Sequence, residues 1–162
     1  MLDINFDALL RTQTFINTLE ARLQNHTRFW TDFVAPLTYG EIDDIFDTGG
    51  RGLWAGLDPI YASRKAFAYP GKGILRRDDT YFKAATTPSH PNSFLEVSPT
   101  ELVLGVSGLG YPTYHEEGID AQNLSARPVY DLIVAGERFE ERVGQLGEKW
   151  STEEIAAASR GL

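Results

Sequence analysis

One spacing repeats between Leu9 and Leu37. Leu9, Thr12, Ile16, Leu19, Leu23, His26, Trp30, Phe33 and Leu37 follow alternating steps of three and four. That period places them on one stripe of an α-helix and excludes a strand, whose period is two. Asp7 suits a cap at the start, and Pro36 suits the end. The stripe is long for a single surface helix, which leaves room for a break near Asn25–Thr27. Thr38-Tyr-Gly-Glu41 then has the spacing of a capping box, opening a short second helix through Ile42, Ile45 and Phe46.

Beyond this point glycine and proline punctuate the chain. Thr48-Gly-Gly-Arg-Gly52 reads as a flexible turn, and Trp54 and Leu57 follow in an irregular stretch. Asp58-Pro59 places an N-cap before a first-turn proline and starts a helix through Ile60, Tyr61 and Ala68. Asp78 or Asp79 caps a further helix carrying Tyr81, Phe82 and Ala85. Thr86 to Asn92 is a polar loop with two prolines. Phe94–Val97 and Leu102–Val106 flank Ser98-Pro-Thr-Glu101, the pattern of a β-hairpin with proline where a tight turn accepts it. Tyr111–Glu117 reads as a short helix. Arg127–Val134 reads as a strand whose proline sits near its start. Glu137–Leu146 is amphipathic, and Ser151-Thr-Glu-Glu154 is a second capping box before an alanine-rich last helix. The expected fold class is α+β: long N-terminal helices, a small antiparallel sheet with a hairpin packed by helices, and C-terminal helices. Residues 1–150 form one domain in this reading, and residues 151–162 a helical tail.

With 42% apolar residues, nine Phe, seven Tyr and three Trp, the chain of 162 residues has material for a true core. Its 23 acidic and 15 basic residues give a net charge of −8, which disfavours tight binding to phosphate backbones. One stretch runs the other way: Arg51, Arg64, Lys65, Lys72, Arg76 and Arg77 are opposed there only by Asp58. Cysteine is absent, so disulfides and thiol chemistry are excluded. No apolar run reaches the length of a membrane span, and the acidic N-terminus lacks the basic start of a signal peptide.

Catalytic patterns are hard to find. His26, His90 and His115 have no zinc spacing, and HExxH is absent. A helix would splay His115, Glu116 and Glu117 apart, so a hydrogen-bonding role at His115 is favoured over metal ligation. Asp43, Asp44 and Asp47 read as a solvated helix end beside Gly49 and Gly50 rather than as an acid–base pair. Gly49–Gly52 and Gly105–Gly110 lack the context of phosphate-binding loops, and Ser98 and Ser107 lack a nucleophile elbow. No enzyme activity, cofactor or metal is expected.

Several landmarks occur in order: Trp54-Ala-Gly-Leu57, Pro59-Ile-Tyr-Ala-Ser-Arg-Lys65, Ile74-Leu75, Tyr114-His-Glu-Glu-Gly118 and Ala126-Arg-Pro-Val-Tyr-Asp-Leu132. Across roughly Phe46 to Leu146 this order resembles the phage virion morphogenesis family, the Mu G-like tail-completion proteins. Two departures stand out: Arg76-Arg77-Asp78-Asp79 replaces the family's Thr-Gly-x-Leu, and Val129 replaces a Phe after Arg127-Pro128. The resemblance implies a structural protein of the neck or tail end, made in the host cytoplasm and carried in the virion. Its implied partners are copies of itself in a ring, sixfold on the tail side, a tail tube or terminator, and head-connector proteins. DNA would pass through the lumen without sequence-specific contact, and no membrane is involved. Under this reading Trp54, Leu57 and Tyr61 are core residues. Gly118 provides a left-handed cap, and Arg127, held extended by Pro128, reaches a neighbouring carboxylate. His115 and Arg127 organise the fold. Arg64, Lys65, Arg76 and Arg77 of one subunit would meet Asp43, Asp44 and Asp47 of the next. The alternatives are a tail terminator or head–tail adaptor elsewhere in the neck, a small hydrolase using His115 and Glu116, and a non-viral binding module.

Overall fold

The computed structural model describes residues 6–119, 124–135 and 137–160, without the side chains of 6–9 and 137. The cap expected at Asp7 and the first stripe position, Leu9, lie outside the described side chains. Helix α1 (Phe6–Gln24) stops where the break was expected, and the Asn25 carboxamide accepts from the Thr27 backbone N–H at 3.1 Å. A short turn, α2 (Thr27–Phe29), then runs directly into a π-helical turn (Trp30–Val34) and α3 (Ala35–Asp47).

Pro36 therefore does not end a helix. It sits where the π turn passes into α3, and the wider turn before it accommodates both the ring and the missing N–H. The capping box expected at Thr38 is likewise absent. Thr38 is buried inside α3 and its hydroxyl donates to the Val34 carbonyl at 2.9 Å.

Ile42, Ile45 and Phe46 on α3 form the centre of the core. Around the Phe46 ring, Trp54, Tyr81 and Phe82 stand edge-on at centroid distances of 5.8, 5.2 and 5.4 Å. This arrangement sets positive ring edges against negative faces, worth about 1 kcal/mol per pair beyond burial. Tyr81, Phe82 and Ala85 come from α5 (Thr80–Thr86). The hairpin forms as read, β1 (Ser93–Val97) against β2 (Leu102–Val106), with Leu95 opposite Leu104. Leu104 and Val106 pack on this core, while Leu102, on the same strand face, reaches a second cluster of Phe29, Val34 and Trp150. His26 is half-buried beside that cluster: its ring lies 5.2 Å from Trp150, and its Nδ1 is 3.0 Å from the Pro99 carbonyl in the hairpin turn. The fold is α+β, with one two-stranded antiparallel sheet among the described residues.

Two C-terminal expectations need correction. Arg127–Val134 is not a strand: Tyr130–Val134 is a helix, α7, preceded by irregular chain. Val129 and Ile133 are buried (0% and 4% exposed) while Asp131 between them is exposed, so the burial does not follow the period of two that a strand requires. The second capping box is also absent, because α8 (Glu137–Ser159) runs straight through it. Within that helix Ser151 and Thr152 both donate to the Glu148 carbonyl.

Residues 151–159 are thus the last turns of α8, which packs along α1. Their anchor is Glu154, 5% exposed, which accepts from Arg22 and Arg28 at 2.8 Å each, while Arg28 also reaches Glu153 at 2.5 Å. Bonds from Arg22 outweigh burial and hold the Glu154 carboxyl below its ordinary value. A depressed acid stabilises the fold fully above its unfolded value and loses that contribution as pH falls through the folded one. Glu154→Gln should accordingly cost about 1 kcal/mol at pH 7, because both arginines remain half in water. The difference from wild type should vanish in denaturant titrations below the ordinary carboxylate range.

Candidate functional site

The Gly49–Gly52 turn bends the chain sharply after α3, with Gly49, Gly50, Arg51 and Gly52 all in the left-handed region. At Gly50 this is obligatory, since a Cβ would lie 2.3 Å from the Trp54 indole, itself fixed against Phe46. The turn delivers Trp54 into the core, where its indole N–H donates to the Pro128 carbonyl at 2.8 Å.

Helix α4 (Pro59–Ala68) starts as the sequence suggests: Asp58 Oδ1 accepts from the backbone N–H groups of Ile60 and Tyr61 at 3.0 Å. Its inward residue is an unusual one. Lys65 is 6% exposed and its ammonium donates to the Gly73 carbonyl at 2.5 Å. The outward side carries Ile60 and Phe67, 66% and 92% exposed. Of the three residues expected in the core, only Trp54 belongs there. Leu57 is half-buried on a cavity wall, and Tyr61 is exposed at the same cavity, because Lys65 occupies the inner face of α4.

Opposite α4 stands α6 (Tyr111–Glu117), tied to the Arg127 segment. The Arg127 backbone N–H donates to the His115 carbonyl at 2.6 Å. Its buried guanidinium donates to the carbonyls of Ala55 at 3.2 Å and Gly56 at 3.5 Å. The carboxylate expected as its partner is therefore replaced by backbone carbonyls, which the bend after Trp54 turns towards it. Gly118 has the positive φ expected of a cap, but φ 77° with ψ 174° is an extended form rather than a left-handed helical one.

The residue that sequence reading undervalued is Glu116. Its carboxylate accepts from the Tyr81 hydroxyl at 2.9 Å and from the Val129 N–H at 2.9 and 3.1 Å. Burial pushes this carboxyl up, against the pull of those donors, and pushes the phenols of Tyr81 and Tyr130 up as well. The signal available was its place inside the Tyr114–Gly118 landmark. Nothing in the sequence distinguished it from its neighbour Glu117.

Between α4, the 74–78 segment, α6 and Leu124–Arg127 lies a cavity of about 490 Å³. Lys65, His115 and Arg127 supply its buried polar wall, and Leu57, Ile74 and Leu75 part of its apolar wall. Burial, then the charge of Arg127, lowers the proton affinity of both Lys65 and His115; Asp79 acts weakly in the opposite sense on Lys65.

Five of the seven charged residues proposed as subunit contacts, Lys65, Arg76, Arg77, Asp44 and Asp47, find partners within the chain. Arg51 pairs with Glu41 and with Asp44, the latter at 3.2 Å. Arg76 pairs with Asp47 at 2.6 Å and Asp79 at 3.2 Å, and its guanidinium lies 3.8 Å from the Phe82 ring centre. Arg77 meets Asp78 at 3.5 Å, and Lys72 meets Asp79. The basic stretch does face the acidic end of α3, as complementarity suggested, but the glycine turn folds the two together in one molecule. Arg64 and Asp43 are exposed. Reversing Arg76 would thus break internal pairs first. Among the described residues no group of three or more His, Asp or Glu is placed to hold a metal ion, and no helix is long and apolar enough to cross a membrane. No known family model, curated protein or solved structure matches the chain.

Proposed function

We propose that the chain is a non-enzymatic structural subunit of a tailed-phage virion, completing the tail end and joining it to the head connector as an oligomeric, sixfold ring. The supporting observation is that three of the five landmarks of the resemblance, Trp54–Leu57, Tyr114–Gly118 and Ala126–Leu132, meet at one junction. Trp54 bonds Pro128, Arg127 bonds Ala55 and Gly56, and the Arg127 N–H bonds His115, linking segments more than seventy residues apart in the first two cases. Their polar groups hold backbone to backbone. The hydrolase alternative is weakened at Glu116, whose two oxygens are both engaged by buried donors.

Subunit contact is assigned to the outer side of α4. Ile60 and Phe67, seven residues apart on one side of it, are 66% and 92% exposed, an apolar surface that association would cover. The double variant Ile60→Glu, Phe67→Glu should keep the helical content of wild type by circular dichroism yet lose ring formation, and with it any stabilisation that assembly confers. Sedimentation and electron microscopy of purified protein, alone and with tails lacking it, read the outcome. A wild-type chain that stays monomeric and leaves tail ends bare would refute the reading. A terminator or adaptor position elsewhere in the neck would appear in the same images as attachment at a different site.

A further inference from the structure

We propose that the cavity between α4 and α6 is a binding site for a carboxylate carried on an apolar stem. Two cations form its inner wall, Lys65 and Arg127, 6% and 7% exposed. Among the described residues each donates to backbone carbonyls: Lys65 to Gly73, Arg127 to Ala55 and Gly56. Buried charges are normally paired, and among the described residues no carboxylate forms an ion pair with either of them. The nearby acids are engaged elsewhere. Asp79 is held by Lys72 and Arg76, Asp58 caps α4, and Asp78 binds the Thr80 N–H and Arg77.

Donor capacity remains on that wall. An ammonium has three N–H bonds and a guanidinium five, more than the bonds described here use. His115 Nδ1 is buried and has no hydrogen-bond partner. Burial first, and then the charge of Arg127, disfavours the Lys65 ammonium, and one negative charge set between the two cations offsets both effects. Leu57, Ile74, Leu75 and Leu124 then offer an aliphatic wall beyond the charged end. The matching ligand is a planar two-oxygen anion with a hydrocarbon body. It comes either as a free organic acid or as the acidic side chain of an adjoining protein, and the inference holds whether or not the chain forms a ring.

Calorimetric titration of the full chain with 3-phenylpropanoate, its neutral amide and acetate tests this. The acid should bind saturably at one site, with the amide and acetate weaker by about tenfold or more, as loss of a charged bond or of apolar burial predicts. Lys65→Met, which keeps the stem, should weaken the acid by a similar factor of about ten and leave the amide unchanged. Arg77→Gln, at the exposed edge, should change affinity by no more than about threefold. Should Lys65→Met fail to fold, the acid-to-amide ratio of the wild type still decides. Equal binding of acid and amide, or no saturable binding, overturns the proposal. If phenylpropanoate dissociates self-assembled copies, the natural carboxylate belongs to a neighbouring chain; if assemblies persist with the acid bound, it is a free small acid. Both results uphold the site.

Discussion

Replacing Glu116 by alanine should cost the fold about 3 kcal/mol, since it strands two buried donors at about 1–3 kcal/mol each. The Tyr81 hydroxyl belongs to a side chain 1% exposed, and the Val129 N–H to a residue 0% exposed, so water cannot easily replace the lost carboxylate. The cost falls short of the two penalties summed because Glu116 itself is raised by desolvation, so its own burial is not free. Glu116→Gln keeps one acceptor oxygen and should lose about half as much. Adding Tyr81→Phe to Glu116→Ala removes one stranded donor and should recover about 1 kcal/mol, a coupling that denaturant unfolding of the four proteins measures directly. A loss below about 1 kcal/mol for Glu116→Ala would mean that this carboxylate is not the tie between α5, α6 and α7.

Gly118→Ala should be more damaging still, at about 4 kcal/mol, combining backbone strain with overpacking. Its φ of 77° with ψ of 174° falls in a region closed to other residues. A Cβ there would also lie 2.8 Å from both the Ala126 nitrogen and the Leu124 carbonyl oxygen. These are backbone atoms, held by the Ile119–Leu124 bridge and by Arg127 against His115, so they have little freedom to retreat. Against a typical stability of about 5–15 kcal/mol this is a large fraction, and the variant should melt early or accumulate unfolded. A melting temperature within two or three degrees of wild type would show that the segment yields more easily than its bonds suggest.

What was legible in the sequence was local chemistry acting on its own residues. Asp58 caps α4 because its short carboxylate reaches two N–H groups whatever surrounds it. The Phe94–Val106 hairpin and the break after Gln24 follow from turn residues in the same way. The misreadings share a different cause. Pro36, Thr38 and Ser151 carry signals for helix ends, yet burial of Val34, Ile42 and Trp150 on either side kept the chain helical through them. Tertiary packing outweighs a capping preference of about 1 kcal/mol. Arg127–Val134 has a proline near its start and an apolar end, which suits a strand, but Asp131 is exposed between buried Val129 and Ile133, and the chain from Tyr130 is helical. At the cavity, sequence showed the positive charge of the Arg51–Arg77 stretch. It did not show that Lys65 turns inward while Arg76 and Arg51 close onto α3, since that division depends on the bend at Gly49–Gly52.

The clasp of Glu154 by Arg22 and Arg28 joins positions 132 and 126 residues apart. Almost the whole polypeptide must be drawn in before that contact can exist, and closing so wide a loop carries an entropic debt that nearer pairings avoid. Helices α1 and α8 are therefore expected to dock late in folding, so that substitutions at Arg22 or Glu154 should raise the unfolding rate and leave the folding rate nearly unchanged.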